Sequence, residues 1–271
     1  MKDKRRSGIR LFIAAFFIQM GLGILHLSQR FSSFLGTMVL ILSKPDDLEK
    51  LIQRFYRRPS SVELWGGTPI RSRGLFEEES RFVTTYLHGK KKCLVLMCGG
   101  GRESLALAKL GFEVMGIDSS EALIQKAREH ASFLSLACTF EVGDVLNGIF
   151  PSEKYDALFL TQTMYSTIPT RRRRTQFLKK VRQSLKEDGL FYLEFCKRHS
   201  AQSRFWKYRI KKILSALFCG NRELEEGDSY WIGGTFTHHF NHPAELLSET
   251  EESGFKMIEL DFDKAYVVIS P

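Results

Sequence analysis

Three consecutive glycines and two carboxylates at set distances behind them carry the chemistry legible in this chain. An apolar run, Cys93-Leu-Val-Leu96, passes through Met97 into Cys98-Gly-Gly-Gly101, and an Ala/Leu-rich stretch begins at once at Arg102-Glu103-Ser104. Glycines let a backbone turn tightly and approach a ligand where side chains would clash. A helix starting behind them offers unpaired N–H groups to a polar or anionic group. A second apolar run, Phe112–Ile117, ends on Asp118, an acid suited to a ribose diol. A third, Phe140-Glu-Val142, reaches Gly143-Asp144-Val145, whose carboxylate can accept a hydrogen bond from an adenine amino group. These residues describe a nucleoside-cofactor site.

The elements that must position them follow the same order. Ser119-Ser-Glu-Ala opens a capped amphipathic helix after Asp118. A fourth apolar run, Tyr155–Leu160, leads into Thr161-Gln-Thr-Met-Tyr165. A helix then carries an apolar stripe of Phe177, Leu178, Val181 and Leu185, is expected to end at Gly189, and precedes a fifth strand, Leu190–Phe195. Phe255–Phe262 and Ala265–Ile269 read as a closing strand pair. Strands alternating with helices imply an α/β fold with a mostly parallel sheet. A dinucleotide loop would need a third glycine three residues after the second. That position is Arg102 counted from Gly99 and Ser104 counted from Gly101, so neither register is complete.

Across about residues 90–200 the chain resembles the class I S-adenosylmethionine (SAM)-dependent methyltransferases. The glycine loop, Asp118, Asp144 and the strand exit at Thr161-Gln162 stand in the family's order and at its spacing. The resemblance implies a Rossmann-like seven-stranded sheet with a reversed last hairpin and helices on both faces. It implies SAM as cofactor, held by Cys98, Gly99, Gly100, Gly101, Glu103, Asp118, Ser119, Asp144, Val145, Thr161 and Gln162. Two positions depart from the pattern: Val95 stands where the family usually has an acid, and Met97 where the loop has its first glycine. Glu103 can take over recognition of the methionine amino group, or it is simply a carboxylate favoured by the helix dipole.

Methyl transfer needs a general base only for a poorly acidic acceptor. His238, His239 and Tyr165 are the candidates, set against a plain structural role beside Phe236 and Phe240. No metal site is expected: the five cysteines show no C-x-x-C spacing and no nearby histidine pairs. Cys98 reads as a small packing residue.

The 271 residues allow one large domain with an appendage. Residues 1–43 form an apolar N-terminal segment, in which five cations precede Leu11–Leu25, a stretch at the lower limit for a membrane span. It is expected to form a tight hairpin, to lie on the membrane, or to pack on the domain. Residues 44–271 form the methyltransferase domain, with 88–195 as its SAM-binding core and 197–240 as an insertion expected over the active site. Pro45–Tyr56 and Leu75–Leu87 read as helices, and Arg58–Pro69 as a loop. Such helices before the first strand cover the cofactor in the family, which makes Tyr56, Trp65 and Tyr86 candidate pocket aromatics.

The net charge of +9 gathers in clusters, including Arg171–Arg174 and Lys197–Lys212. A solvated helix face is the expectation for the arginine run. The leading functional reading is methyl transfer to a small-molecule or lipid-like acceptor, by a cytoplasmic catalytic domain at the inner face of the cell membrane. An anionic membrane surface would meet residues 1–42 and 197–218. The competing readings are an RNA methyltransferase using the arginines, and a membrane-anchored SAM-binding regulator without turnover. Against nucleic acid, the strand-four exit lacks the Asn/Asp-Pro-Pro-aromatic signature of many base-methylating enzymes.

Overall fold

The computed structural model describes residues 27–67, 70, 72–148, 150–151, 153–198 and 205–271. The apolar stretch 11–25 and its preceding cations lie outside the described residues. A first helix, α1, covers 27–42. It is followed by α2 (Pro45–Tyr56), α3 (Pro59–Gly66) and α4 (Glu77–Tyr86). The core alternates β1 (Lys92–Leu96), α5 (Arg102–Lys109), β2 (Glu113–Asp118), α6 (Glu121–Phe133), β3 (Cys138–Val142) and β4 (Tyr155–Leu160). A short 3-10 helix (Met164–Thr167), α7 (Arg171–Gln183) and β5 (Leu185–Glu194) complete it. The remainder is β6 (Cys196–Lys197), α8 (Phe205–Leu217), β7 (Asp228–Tyr230), β8 (Phe236–Phe240), α9 (Pro243–Glu252), β9 (Lys256–Asp261) and β10 (Tyr266–Ser270).

The seven-stranded sheet has the order β3-β2-β1-β4-β5-β10-β9. β1 pairs in parallel with both β2 and β4, while β10 runs antiparallel between β5 and β9. This is the reversed last hairpin. β4 is buried along its whole length and β1 along all but its first residue. Their near-continuous apolar sequences therefore occupy the middle of the sheet, covered on both faces. The chain order reverses at β1, so the carboxyl ends of β1 and β4 flank a crevice, the place where open α/β sheets bind ligands.

Local chemistry explains the boundaries. Ser120 caps α6 by accepting from the Leu123 N–H at 3.4 Å, and Asp47 accepts from the Lys44 N–H at 3.1 Å at the start of α2. Two elements differ from the sequence reading. Residues 59–66 form a helix and not a loop: Pro59 takes its first position, where a missing N–H costs nothing. The fifth strand starts at Leu185, before Gly189. Tyr155 pairs with Leu185 and Ala157 with Leu190, so the intervening residues bulge from the ladder. Asp156 holds that bulge by accepting from Lys186 Nζ at 2.7 Å.

The insertion builds a second, three-stranded sheet in the order β6-β8-β7. It joins the main domain through the 3-10 helix and Phe240, whose ring stacks on Tyr165 at 5.9 Å between centroids.

Candidate active site

A cleft lies at the carboxyl ends of β1, β2 and β4. Cys98, Gly99, Gly100, Glu103, Asp118, Ser119, Asp144, Val145 and Gln162 all line it. The two other residues expected there sit directly behind. Gly101 begins α5 with φ 84° and packs against the Phe140 ring, and buried Thr161 donates its hydroxyl to Glu103. The space between these walls is about 1040 Å³ including its open mouth.

Asp118 is fixed by the loop it faces. Its Oδ2 accepts from the Gly99 N–H at 2.9 Å and its Oδ1 from the Ser120 N–H at 2.8 Å. Burial pushes its carboxyl up from the usual range, and those two N–H groups oppose the shift. Each oxygen keeps a further lone pair for a hydroxyl donor. Asp144 accepts from the Leu146 N–H at 2.9 Å and from Gln53 Nε2 at 3.3 Å. A Cβ at Gly100 would stand 2.6 Å from the Trp65 carbonyl oxygen, so the loop tolerates only glycine where α3 crosses it. At Gly99 a Cβ would meet nothing within 4 Å, so that backbone faces free space.

Behind the loop lies a buried charge cluster. The Arg102 guanidinium reaches Glu79 at 2.6 and 2.8 Å and Glu103 at 2.5 Å, and stacks on Phe76 at 4.0 Å. Glu194, at the end of β5, accepts from the Gln162 N–H at 2.8 Å. Burial and then the neighbouring Glu79 push its carboxyl up to about 7. Glu79 and Glu103 thus share one guanidinium, with Glu103 at the cleft wall and Glu194 adding its field nearby. The arrangement favours an added cation there.

Strain gathers at the same place. Met97, at the loop's first-glycine position, has φ 53°, and Gln162 and Thr163 have φ 56° and 58°. Left-handed backbone costs a non-glycine residue about 1–2 kcal/mol, and here it aims successive groups into the cleft.

The cover over the cleft is α2. Glu49, Ile52, Gln53 and Tyr56 face inward, joined by Trp65 and Ile70. Burial, followed by the Asp118 field, pushes the Tyr56 phenol up to about 12. No described residue of 197–240 lines the cleft, so the insertion stands beside it. Tyr86 lies elsewhere, donating to Glu259 at 2.8 Å. The α2 positions other than Tyr56 were not legible in the sequence: amphipathicity gives that helix an inner face but not the partner it covers.

The three candidate bases are also placed away from the cleft. Tyr165 is buried and donates to Glu249 at 2.6 Å, and burial followed by the Glu249 charge pushes its phenol well up. His238 Nδ1 lies 2.8 Å from Asp228, and its ring packs edge-on against Phe240 at 4.8 Å. His239 Nε2 is 3.0 Å from the Ser229 hydroxyl. Cys98 is inert: burial, then Asp118 and Glu103, push its thiol well up. Among the described residues no cluster of three or more ligating side chains could hold a metal.

A model of the methyltransferase domain family matches residues 94–189, from β1 to the bulge in β5. Those residues belong to that family. With the sheet order above, the chain carries a class I methyltransferase domain, whose cofactor is SAM. A ubiquinone biosynthesis O-methyltransferase of Coxiella burnetii is 26% identical over 170 residues, 63% of this chain and 65% of that protein. The chain therefore spans just under two thirds of that relative's length. Among solved structures, the CcbJ methyltransferase of Streptomyces caelestis has a TM-score of 0.55 at 18% identity, covering 77% of this chain and 95% of its own. An amino pentose methyltransferase of Micromonospora echinaspora with SAM bound has a TM-score of 0.53 at 12% identity, over 74% and 93%. At these identities the likeness is one of fold. The cleft's lining is of a kind that suits a nucleoside cofactor: the acids Asp118 and Asp144, free space at Gly99, and apolar walls from Leu123, Val145 and Leu146.

Proposed function

We propose that this protein transfers a methyl group from SAM to a small, apolar acceptor, of the phenol or quinone-like lipid class. The observation that carries this reading is the cover: α2 closes the cleft with Ile52, Tyr56 and Trp65 nearby, and Met97 and Met164 line the same space. A site roofed by its own helix, with Ile52 and Tyr56 on the inner face beside Glu49 and Gln53, suits a small molecule better than a folded RNA strand. The name of the Coxiella relative points to the same acceptor class.

When bound, SAM supplies a sulfonium-activated methyl group. The chain's own residues bind, orient and exclude water. Asp118 and Asp144 fix the nucleoside end. Glu103, with excess negative charge behind it, receives the methionine ammonium. Tyr56 stays protonated at neutral pH, so it can orient an acceptor oxygen by donating a hydrogen bond but cannot take its proton. Among the described residues no histidine lines the cleft. The chemistry therefore rests on positioning and desolvation, and suits a phenolic acceptor that enters as its phenolate, its proton already released to solvent.

The arginine run supports the small-molecule reading over nucleic acid. Arg171 pairs with Glu252 at 2.9 Å, Arg172 with Glu223 at 3.1 Å, Arg173 with Asp46 and Glu49, and Arg174 with Glu249 at 2.7 Å. Each cation is paired with a carboxylate of the chain, Arg171 and Arg172 at the surface and Arg174 in the interior. The test is methyl transfer from labelled SAM to prenylated catechols, simple phenols and bulk RNA in parallel. Transfer to the prenylated catechols is expected. Labelling of RNA alone would overturn the proposal.

A further inference from the structure

Two amphipathic helices turn the wrong way for a soluble surface. On α8, Trp206, Ile210, Ile213 and Leu217 recur at helical spacing, and all four are exposed, Ile213 at 64% and Leu217 at 72%. On α1, Leu27, Phe31 and Phe34 repeat the same spacing and are likewise exposed, Phe31 at 63% and Phe34 at 56%. Inward, α1 buries Gly36, Leu40 and Ile41, and α8 buries Ser215. Ser215 of α8 donates to the Ile41 carbonyl at 3.0 Å, and a Cβ at Gly36 of α1 would overlap the Tyr230 carbonyl. Phe34 and Ile210 line one groove between the helices, so the two stripes adjoin. Trp231 and Ile232, next in sequence to the groove-lining Tyr230, are exposed at the β7–β8 turn. Contiguous apolar surface of this kind marks an interaction site.

Charge selects the partner. α8 carries Lys207, Arg209, Lys211 and Lys212 and no acid, and residues 27–42 carry Arg30 and no acid. The carboxylates lining the groove are engaged within the protein: Glu225 with Arg174 at 2.7 Å, Glu226 with Arg198 at 3.4 Å, and Asp228 with His238. A second copy docking through the same patch would bring two cationic helices together. Among the described residues no helix is long and apolar enough to cross a membrane. We propose that α1, α8 and the Trp231 turn form a docking surface for an anionic lipid bilayer. The apolar stripes enter the headgroup boundary and the lysines meet lipid phosphates. This surface is separate from the cofactor cleft and does not depend on the acceptor. α1 joins α2 through Ser43-Lys44, so a docked bilayer lies next to the helix that roofs the cleft.

The test is co-sedimentation of the full chain with vesicles of phosphatidylglycerol and phosphatidylcholine in equal parts, and with phosphatidylcholine alone. Binding to the mixed vesicles, weakened by salt, is expected. Ile213→Asp/Leu217→Asp should lower it at least about tenfold, with SAM affinity and melting temperature unchanged. Lys207→Glu/Lys212→Glu, a charge change on an exposed face, should remove the preference for the anionic vesicles. The proposal fails if the wild type stays in the supernatant. It also fails if both variants sediment like the wild type, which would assign membrane binding to residues 1–26. A wild-type dimer that the Asp variant splits, with no vesicle binding, would assign the patch to a second copy instead.

Discussion

Asp118 holds two backbone N–H groups with one carboxylate, so it shapes the glycine loop before any ligand arrives. Asp118→Ala should remove both the loop anchor and the ribose acceptor, weakening SAM binding at least about tenfold, since each charge-assisted hydrogen bond contributes about 1.5–3 kcal/mol. Calorimetric titration checks this, and a change below about threefold would mean that the ribose lies elsewhere. Glu103 allows a sharper comparison. Glu103→Gln should weaken SAM about tenfold while leaving 5′-methylthioadenosine, which lacks the methionine ammonium, unaffected. Equal weakening of both ligands would remove Glu103 from ammonium recognition. His238, buried between Asp228 and Phe240, belongs to the insertion's packing, and His238→Ala is expected to lower stability more than turnover per folded molecule.

At the level of elements, α7 is the tie of the molecule. A run of four arginines reads in sequence as a solvated face, yet Arg174 is fully buried, bound to Glu249 and Glu225 with the Phe240 ring 5.3 Å away. Arg174→Ala would strand Glu249 and cost about 3–5 kcal/mol, visible as a lowered midpoint in urea. Arg173 instead fastens α2, the roof of the cleft, through Asp46 and Glu49. That bridge is partly exposed, and such pairs contribute up to about 1 kcal/mol. Arg173→Ala should therefore weaken SAM about two- to fivefold through faster release, with little change in melting temperature. Stopped-flow dissociation distinguishes this from a loss of fold.

Across the whole molecule, half-buried Glu194 and buried His238 link stability to pH with the same sign. Glu194 is raised from 4.5 to about 7, so the folded state favours its protonated form. That stability is complete below 4.5 and lost as pH rises through 7. At His238, burial and the Arg174 charge oppose the proton, but Asp228 and Glu245 outweigh them and hold the pKa above the ordinary 6.5. Its contribution is complete below 6.5 and lost as pH climbs past the raised value. Unfolding free energy of the ligand-free protein should therefore fall between about pH 5 and 8. Glu194→Gln should flatten the lower part of that fall and His238→Asn the upper part. A stability that rises across this window in the wild type would contradict both assignments.

What the sequence determined by itself is local and ordered. The strand–glycine–helix run and its acids at Asp118 and Asp144 identified the sheet class, the cofactor and most of the cleft floor. Backbone turns and strand ends are fixed by neighbouring residue types, so their order along the chain carries over into space. The tertiary structure decided everything that depends on which faces meet. It made α2 the roof and set the insertion beside the cleft. It buried Arg174, half-buried Glu194, placed His238 and His239 away from the cleft, and turned the apolar stripes of α1 and α8 outward. Periodicity shows that a helix has two faces, but which one is buried depends on long-range packing partners, and no stretch of local sequence contains those.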